Sequence, residues 1–182
     1  MILDNLLMFD SPNAPRNLAQ VVGTYTSTNI LDLHISSGGL PILANLQGAR
    51  DLGVGDDPAL KLLVQISTAF TSGGAGTLQV KFQGATDNGS GAPNAFSDWW
   101  VSPAYALATL VAGERLLDMD LPRPPAGIAI PRFLQLSYVI GGATMTAGQV
   151  IAGIVLDRDD QYYSSTNNAV MGGYPAGITV AN

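Results

Sequence analysis

Apolar residues recur at every second position over much of this chain, the spacing that lines one face of a β-strand. The longest example covers residues 60–70, where Leu60, Leu62, Val64, Ile66 and Phe70 share a face interrupted only by Thr68. Residues 77–83 repeat the pattern, with Leu78, Val80 and Phe82 inward and Gln79, Lys81 and Gln83 outward. The short linker SGGAG between them predicts a β-hairpin.

A second pair lies in residues 132–159, RFLQLSYVIGGATMTAGQVIAGIVLDRD. Its 24 consecutive uncharged residues, 133–156, are long enough for a membrane-spanning helix. The internal pattern predicts strands instead. Leu134, Leu136, Tyr138 and Ile140 alternate with Phe133, Gln135, Ser137 and Val139. Gly141-Gly142 and Gly148 then bracket a polar patch with Thr144 and Thr146, where the chain can reverse. Val150, Ala152, Ile154 and Leu156 form the return run. This predicts a central hairpin that sends Leu134, Leu136, Tyr138, Val150, Ile154 and Leu156 into the core.

The remaining segments fit the same class. Residues 1–10, MILDNLLMFD, are apolar, end at Ser11-Pro12, and predict an anchored strand or arm. Residues 21–26 are β-prone; residues 29–36 alternate, with Leu31, Leu33 and Ile35 inward and Asp32 and His34 opposite. Residues 37–58 read as a long loop that either meets a partner or folds over the end of a sandwich. Two further short strands are expected at 106–111 and 115–121, before the rigid connector marked by Pro122, Pro124, Pro125 and Pro131. Residues 160–182 carry Tyr162, Tyr163 and Tyr174 without periodicity and read as an extended arm. Eight or nine short strands and no convincing amphipathic helix make a single all-β domain, a jelly roll or another β-sandwich.

Charge changes the picture. Of the 182 residues 47% are hydrophobic and 12% charged, well below the roughly 25% typical of soluble domains. Such a chain tends to hide surface in an assembly. The net charge of −6 and eight scattered basic residues argue against nucleic acid, which needs clustered Lys and Arg. Without cysteine there is no disulfide, thiol catalysis or thiolate metal site. The first fifteen residues hold Asp4 and Asp10 but no Lys or Arg, which is not a secretory signal pattern.

No catalytic constellation emerges. His34, the single histidine, sits in a predicted strand beside Asp32, and no G-x-S-x-G elbow accompanies it. One histidine without cysteine also leaves no usual zinc site. Asp56-Asp57, Asp118/Asp120 and Asp157/Asp159/Asp160 are neighbours in turns or along a wet strand face, without the spaced loop of a calcium site. No cofactor and no metal are expected. Trp99-Trp100 is the best ligand-facing candidate, since strand alternation would send one ring to the core and expose the other. The exposed ring would suit a sugar or a protein interface.

The order of MILDNLLMFD, TNILDL, LKLLVQISTAFTSGGAGTLQVKFQGATD and RFLQLSYVIGGATMTAGQVIAGIVLD resembles the capsid cement (decoration) proteins of short-tailed bacteriophages, the Bordetella-phage type. The resemblance covers most of the chain, least closely at residues 37–58 and after Asp160; Phe133 stands where a tyrosine is expected. It implies a non-enzymatic jelly-roll β-sandwich of about eight antiparallel strands, residues 1–182, with arms at approximately 1–20 and 160–182. It implies a virion protein made in the host cytoplasm and sitting on the outer surface of the head. There it bridges major capsid protein subunits of HK97-like fold, itself a homo-oligomer (dimer or trimer), with no nucleic acid and no membrane as partner. Leu6, Leu7, Phe9, Trp99, Trp100, Tyr162, Tyr163 and Tyr174 are the candidate interface residues. The alternative is a β-sandwich carbohydrate- or receptor-binding virion module using Trp99 or Trp100.

Overall fold

The computed structural model describes residues 7–33, 60–127 and 131–156. Eleven strands follow in chain order: β1 (Met8–Asp10), β2 (Arg16–Asn17), β3 (Gly23–Thr26), β4 (Leu31–Asp32), β5 (Leu60–Ser72), β6 (Thr77–Ala85), β7 (Ser97–Val101), β8 (Tyr105–Ala106), β9 (Arg115–Asp120), β10 (Phe133–Gly141) and β11 (Met145–Leu156). They form two antiparallel sheets packed as a jelly-roll sandwich. One has five strands in the order β1-β11-β5-β9, with β2 also on β11. The other has six, in the order β3-β10-β6-β7, with β4 on β10 and β8 on β6.

Both expected hairpins are corrected by this topology. β5 and β6 do not pair with each other, and neither do β10 and β11. Instead β5 pairs with β11, from Leu60↔Leu156 to Ser72↔Met145. β6 pairs with β10, from Phe133↔Ala85 to Gly141↔Thr77. The four strands make one long two-stranded ribbon folded in half, so that each glycine loop crosses from one sheet to the other. The glycines mark where the chain turns, but hydrogen-bond partners are chosen by the sandwich. Inward faces on all four strands must oppose each other across a gap of roughly 10 Å rather than lie side by side.

The fold of the ribbon is tight. Gly142 has φ +73°, and a Cβ there would stand 2.0 Å from the Ala75 carbonyl oxygen. Ser72 Oγ donates to the Thr144 carbonyl at 2.7 Å, tying the two arches together. Residues 18–20 cross the same end, with the Leu18 amide bonded to the Gly148 carbonyl and the Met145 amide to the Gln20 carbonyl.

Leu62, Val64, Ile66 and Phe70 of β5 meet Leu78, Val80 and Phe82 of β6, and Leu134, Leu136, Tyr138 and Ile140 of β10 meet Val150, Ala152 and Ile154 of β11. The predicted inward faces are therefore the observed ones, with the Leu156 side chain outside the described part. The outward face of β10 departs from simple alternation: Phe133, Gln135 and Ser137 are buried as well. On the five-stranded sheet Leu63 and Val155 are also buried, with Met8 lying over Gly153.

Three smaller expectations change. Residues 106–111 are not a strand: β8 stops at Ala106 and a 3-10 turn, Leu107–Thr109, follows. The strand expected at 29–36 is reduced to Leu31–Asp32, with Leu33 half-buried, while His34 and Ile35 lie outside the described residues. The described part of the proposed N-terminal arm belongs to the sandwich: β1 and β2 both pair with β11, and Leu18 is fully buried. The loop at 37–58 and the arm at 160–182 fall outside the described residues.

Candidate functional site

The tandem tryptophans sit on β7, at one edge of the six-stranded sheet. Alternation predicts opposite faces, but a register shift intervenes: Phe82 opposes Trp100 and Gln83 opposes Asp98, leaving Trp99 as the extra residue of a β-bulge. Both rings consequently pack against the core, and both are half-buried. Trp99 rests on Gly84, where a Cβ would meet its ring at 2.1 Å, and tilts against Phe82 with centroids 5.8 Å apart. Its indole Nε1 is buried and has no hydrogen-bond partner. Beside it opens a shallow cleft of about 160 Å³, walled by Gly84, Thr86, Ala95, Ser97, Trp99 and Pro131.

An ionic clamp stands close by in sequence and register. Arg132, just ahead of β10, donates from Nε and Nη2 to the two oxygens of Asp32 at 2.8 and 3.0 Å. Its Nη1 donates to Asp87 in the exposed 86–94 loop, and its guanidinium lies 4.8 Å from the Phe133 ring centre. Such a two-pronged geometry suits the planar guanidinium and no lysine. The hydrogen bond to Asp32 leads the effects that raise the already high pKa of Arg132. Desolvation pushes the Asp87 carboxyl up, but the Gly89 and Gly91 amides and Arg132 together outweigh it and hold it below its ordinary value. The clamp joins β4, the 86–94 loop and β10 at one end of the sandwich.

Across the outward face of the same sheet runs a polar ladder. Lys81 Nζ and Gln83 Nε2 donate to Asp98 at 2.7 and 2.6 Å, and Gln135 Nε2 donates to Gln83 at 2.7 Å. The hydrogen bonds from Lys81 and then Gln83 lower the Asp98 pKa. The ladder ties β6, β7 and β10 together in register.

Among the expected interface residues, Phe9 is fully buried against Phe82, and Leu7 packs partly on the core. Leu6, Tyr162, Tyr163 and Tyr174 lie outside the described residues, as do Asp56-Asp57 and the aspartates at 157–160. Asp118 lies within reach of Arg115, at 3.4 Å. Among the described residues no group of acidic or histidine side chains is arranged to hold a metal ion. Nor is any described helix long and apolar enough to cross a membrane.

Sequence reasoning missed both the clamp and a buried pair, Asp10 with Tyr138. The signal for the second was present: a tyrosine on an inward face needs a partner for its hydroxyl. The signal for the clamp was not, because Asp32, Asp87 and Arg132 are linked by topology alone.

These features define a class: an all-β jelly-roll protein whose polar ladder holds its strands in register. Comparison with known families gives the particular one. A family model, Bbp16, matches residues 17–154, more than half of the chain, and the chain belongs to that family. The family's name points to a Bordetella phage, consistent with a phage protein. A search of curated proteins finds no match.

Proposed function

We propose that the chain is a structural phage virion protein, a cement or decoration protein that binds the outside of the icosahedral head. There it bridges major capsid subunits of HK97-like fold and stabilises the shell. The observation that carries this reading is membership of a phage family over residues 17–154, which hold most of the sandwich. The charge-poor composition supports it: 12% charged residues suit a protein that spends its surface on contacts. Bridging several subunits multiplies modest individual contacts through effective concentration, so a rigid body with several contact points suffices without any catalytic step. As a homo-oligomer the protein would increase that multiplication. The test adds purified protein to heads lacking it and measures stoichiometry and heat stability. Saturable binding with a raised melting temperature of the heads is expected; no binding rejects the reading.

A carbohydrate-binding module is the second reading, and one observation favours it. The cleft beside Trp99 combines an aromatic wall with the polar side chains of Thr86 and Ser97. A glycan array with a tryptophan-fluorescence titration decides it, since sugar binding would quench or shift Trp99 and the cement reading predicts no response.

A further inference from the structure

Sheet edges expose unpaired backbone groups, and proteins guard them with charge, proline, bulges or brevity. Among the described residues most edges of this sandwich carry such guards. The β7 edge has Asp98, a bulge and Pro103. The β9 edge has Arg115, Asp118, Asp120, a register shift and the prolines that follow. β1 and β2 are three and two residues long and flanked by Asp10, Pro12, Pro15 and Arg16. The β3 edge, four residues long, has neither charge nor proline nor a register shift: residues 18–31 contain no charge and no proline.

That edge is also open in the direction that matters. The Ser27 amide bonds to the Leu136 carbonyl, so in the antiparallel ladder residues 23, 25 and 27 face β10. Val22, Thr24 and Thr26 therefore point their N–H and C=O groups away from the sheet. Among the described residues no backbone partner meets them there. Apolar side chains flank the open groups: Val21 is 62% exposed, Val22 54% and Ile30 46%.

We propose that the β3 edge is the acceptor for an added strand, and that the strand is the chain's own segment 175–182, PAGITVAN. No charged side chain follows Asp160 in the sequence, so the side chains of this segment meet an uncharged edge without repulsion. Its Ile178-Thr179-Val180 run has the β-branched character of a strand. The eighteen residues from 157 to 174 reach up to roughly 60 Å when extended, enough to carry it from the end of β11 to this edge on the same copy or on a neighbour. Main-chain bonds to Val22, Thr24 and Thr26 supply the affinity, as in other strand additions. The inference concerns the free protein and stands apart from the capsid reading.

Hydrogen exchange on the purified full-length protein, without heads, tests it. The amides of Val22, Thr24 and Thr26 are expected to be protected. Replacing Ile178, Thr179 and Val180 together by proline should speed their exchange at least about tenfold while core amides such as Val64 stay slow. Fast exchange in the unaltered chain overturns the proposal. So does protection that survives the three prolines, which would mean that another strand, such as β3 of a second copy, covers the edge. The absence of cysteine allows a second measurement. Thr24→Cys combined in turn with Ile178→Cys, Thr179→Cys and Val180→Cys should oxidise to a disulfide in at least one pairing. A monomeric band assigns the strand to the same copy and a dimeric band to a neighbour. Failure of all three pairings overturns the proposal.

Discussion

Tyr138 donates a 2.6 Å hydrogen bond to Asp10 from the opposite sheet, with both side chains completely buried. The second Asp10 oxygen accepts from the Thr28 amide at 2.8 Å, and Asn29 bonds back to the Met8 and Phe9 carbonyls. β1 is thereby pinned across the sandwich to β10. Replacing Tyr138 with Phe leaves one oxygen of a buried carboxylate without its donor. Tyr138→Phe is expected to destabilise the fold by about 2 kcal/mol, read as a lower denaturant midpoint at unchanged slope.

The same pair sets an alkaline limit. Burial, reinforced by the Asp10 charge, pushes the Tyr138 hydroxyl well above its ordinary value of 10.0. A raised native pKa means that the unfolded chain releases this proton first. The stabilisation is complete below about pH 10 and is lost as pH rises beyond it. Tyr105, raised by burial, adds to this slope. Equilibrium unfolding between about pH 9 and pH 12 should show a declining arm that is shallower in Tyr138→Phe.

At the ribbon fold, Gly142→Ala places a Cβ against the Ala75 carbonyl in a backbone conformation with φ +73°. Neither backbone can yield without breaking the paired arches. A loss of about 3 kcal/mol or more is expected, whereas Gly73→Ala, which meets nothing within 4 Å, should be close to neutral. Thermal melts of the two variants check the contrast.

Gly84→Ala would drive a methyl into the Trp99 ring. In a Trp100→Phe background the emission of Trp99 should shift to the red as the ring leaves Phe82, with about 1–3 kcal/mol lost. An unshifted spectrum would show that the bulge does not hold the ring in place.

Arg132→Lys keeps the charge but not the two-pronged geometry. The expected effect is local: faster exchange of the amides at 89 and 91 in the 86–94 loop, with the core amides unchanged. Asp87, whose pKa is lowered, contributes stability present above its ordinary value of 3.8 and lost as pH falls below it. Acid should therefore loosen this loop in the parent protein and have less to remove in the variant.

Much of this architecture was legible in the chain. Period-two patterning identified the four long strands and their inward faces, because each strand needs one apolar side whatever it pairs with. Glycine clusters marked the two arches, because only short, flexible linkers permit such a turn. Pairing was not legible. An inward face at Leu62 or Leu136 is satisfied equally by a hairpin or by an arch, and the choice is made when both strands must cover one core from opposite sides. The split expected for Trp99 and Trp100 failed for a related reason, since a bulge arises from the register with β6 and not from the residues themselves. Links between Arg132, Asp32 and Asp87, or Tyr138 and Asp10, join residues dozens to more than a hundred positions apart. Local sequence determined which residues seek burial and where the chain can turn. Tertiary structure alone decided which strand each one meets, because hydrogen-bond partners and ion pairs depend on distances that exist only once the ribbon has folded.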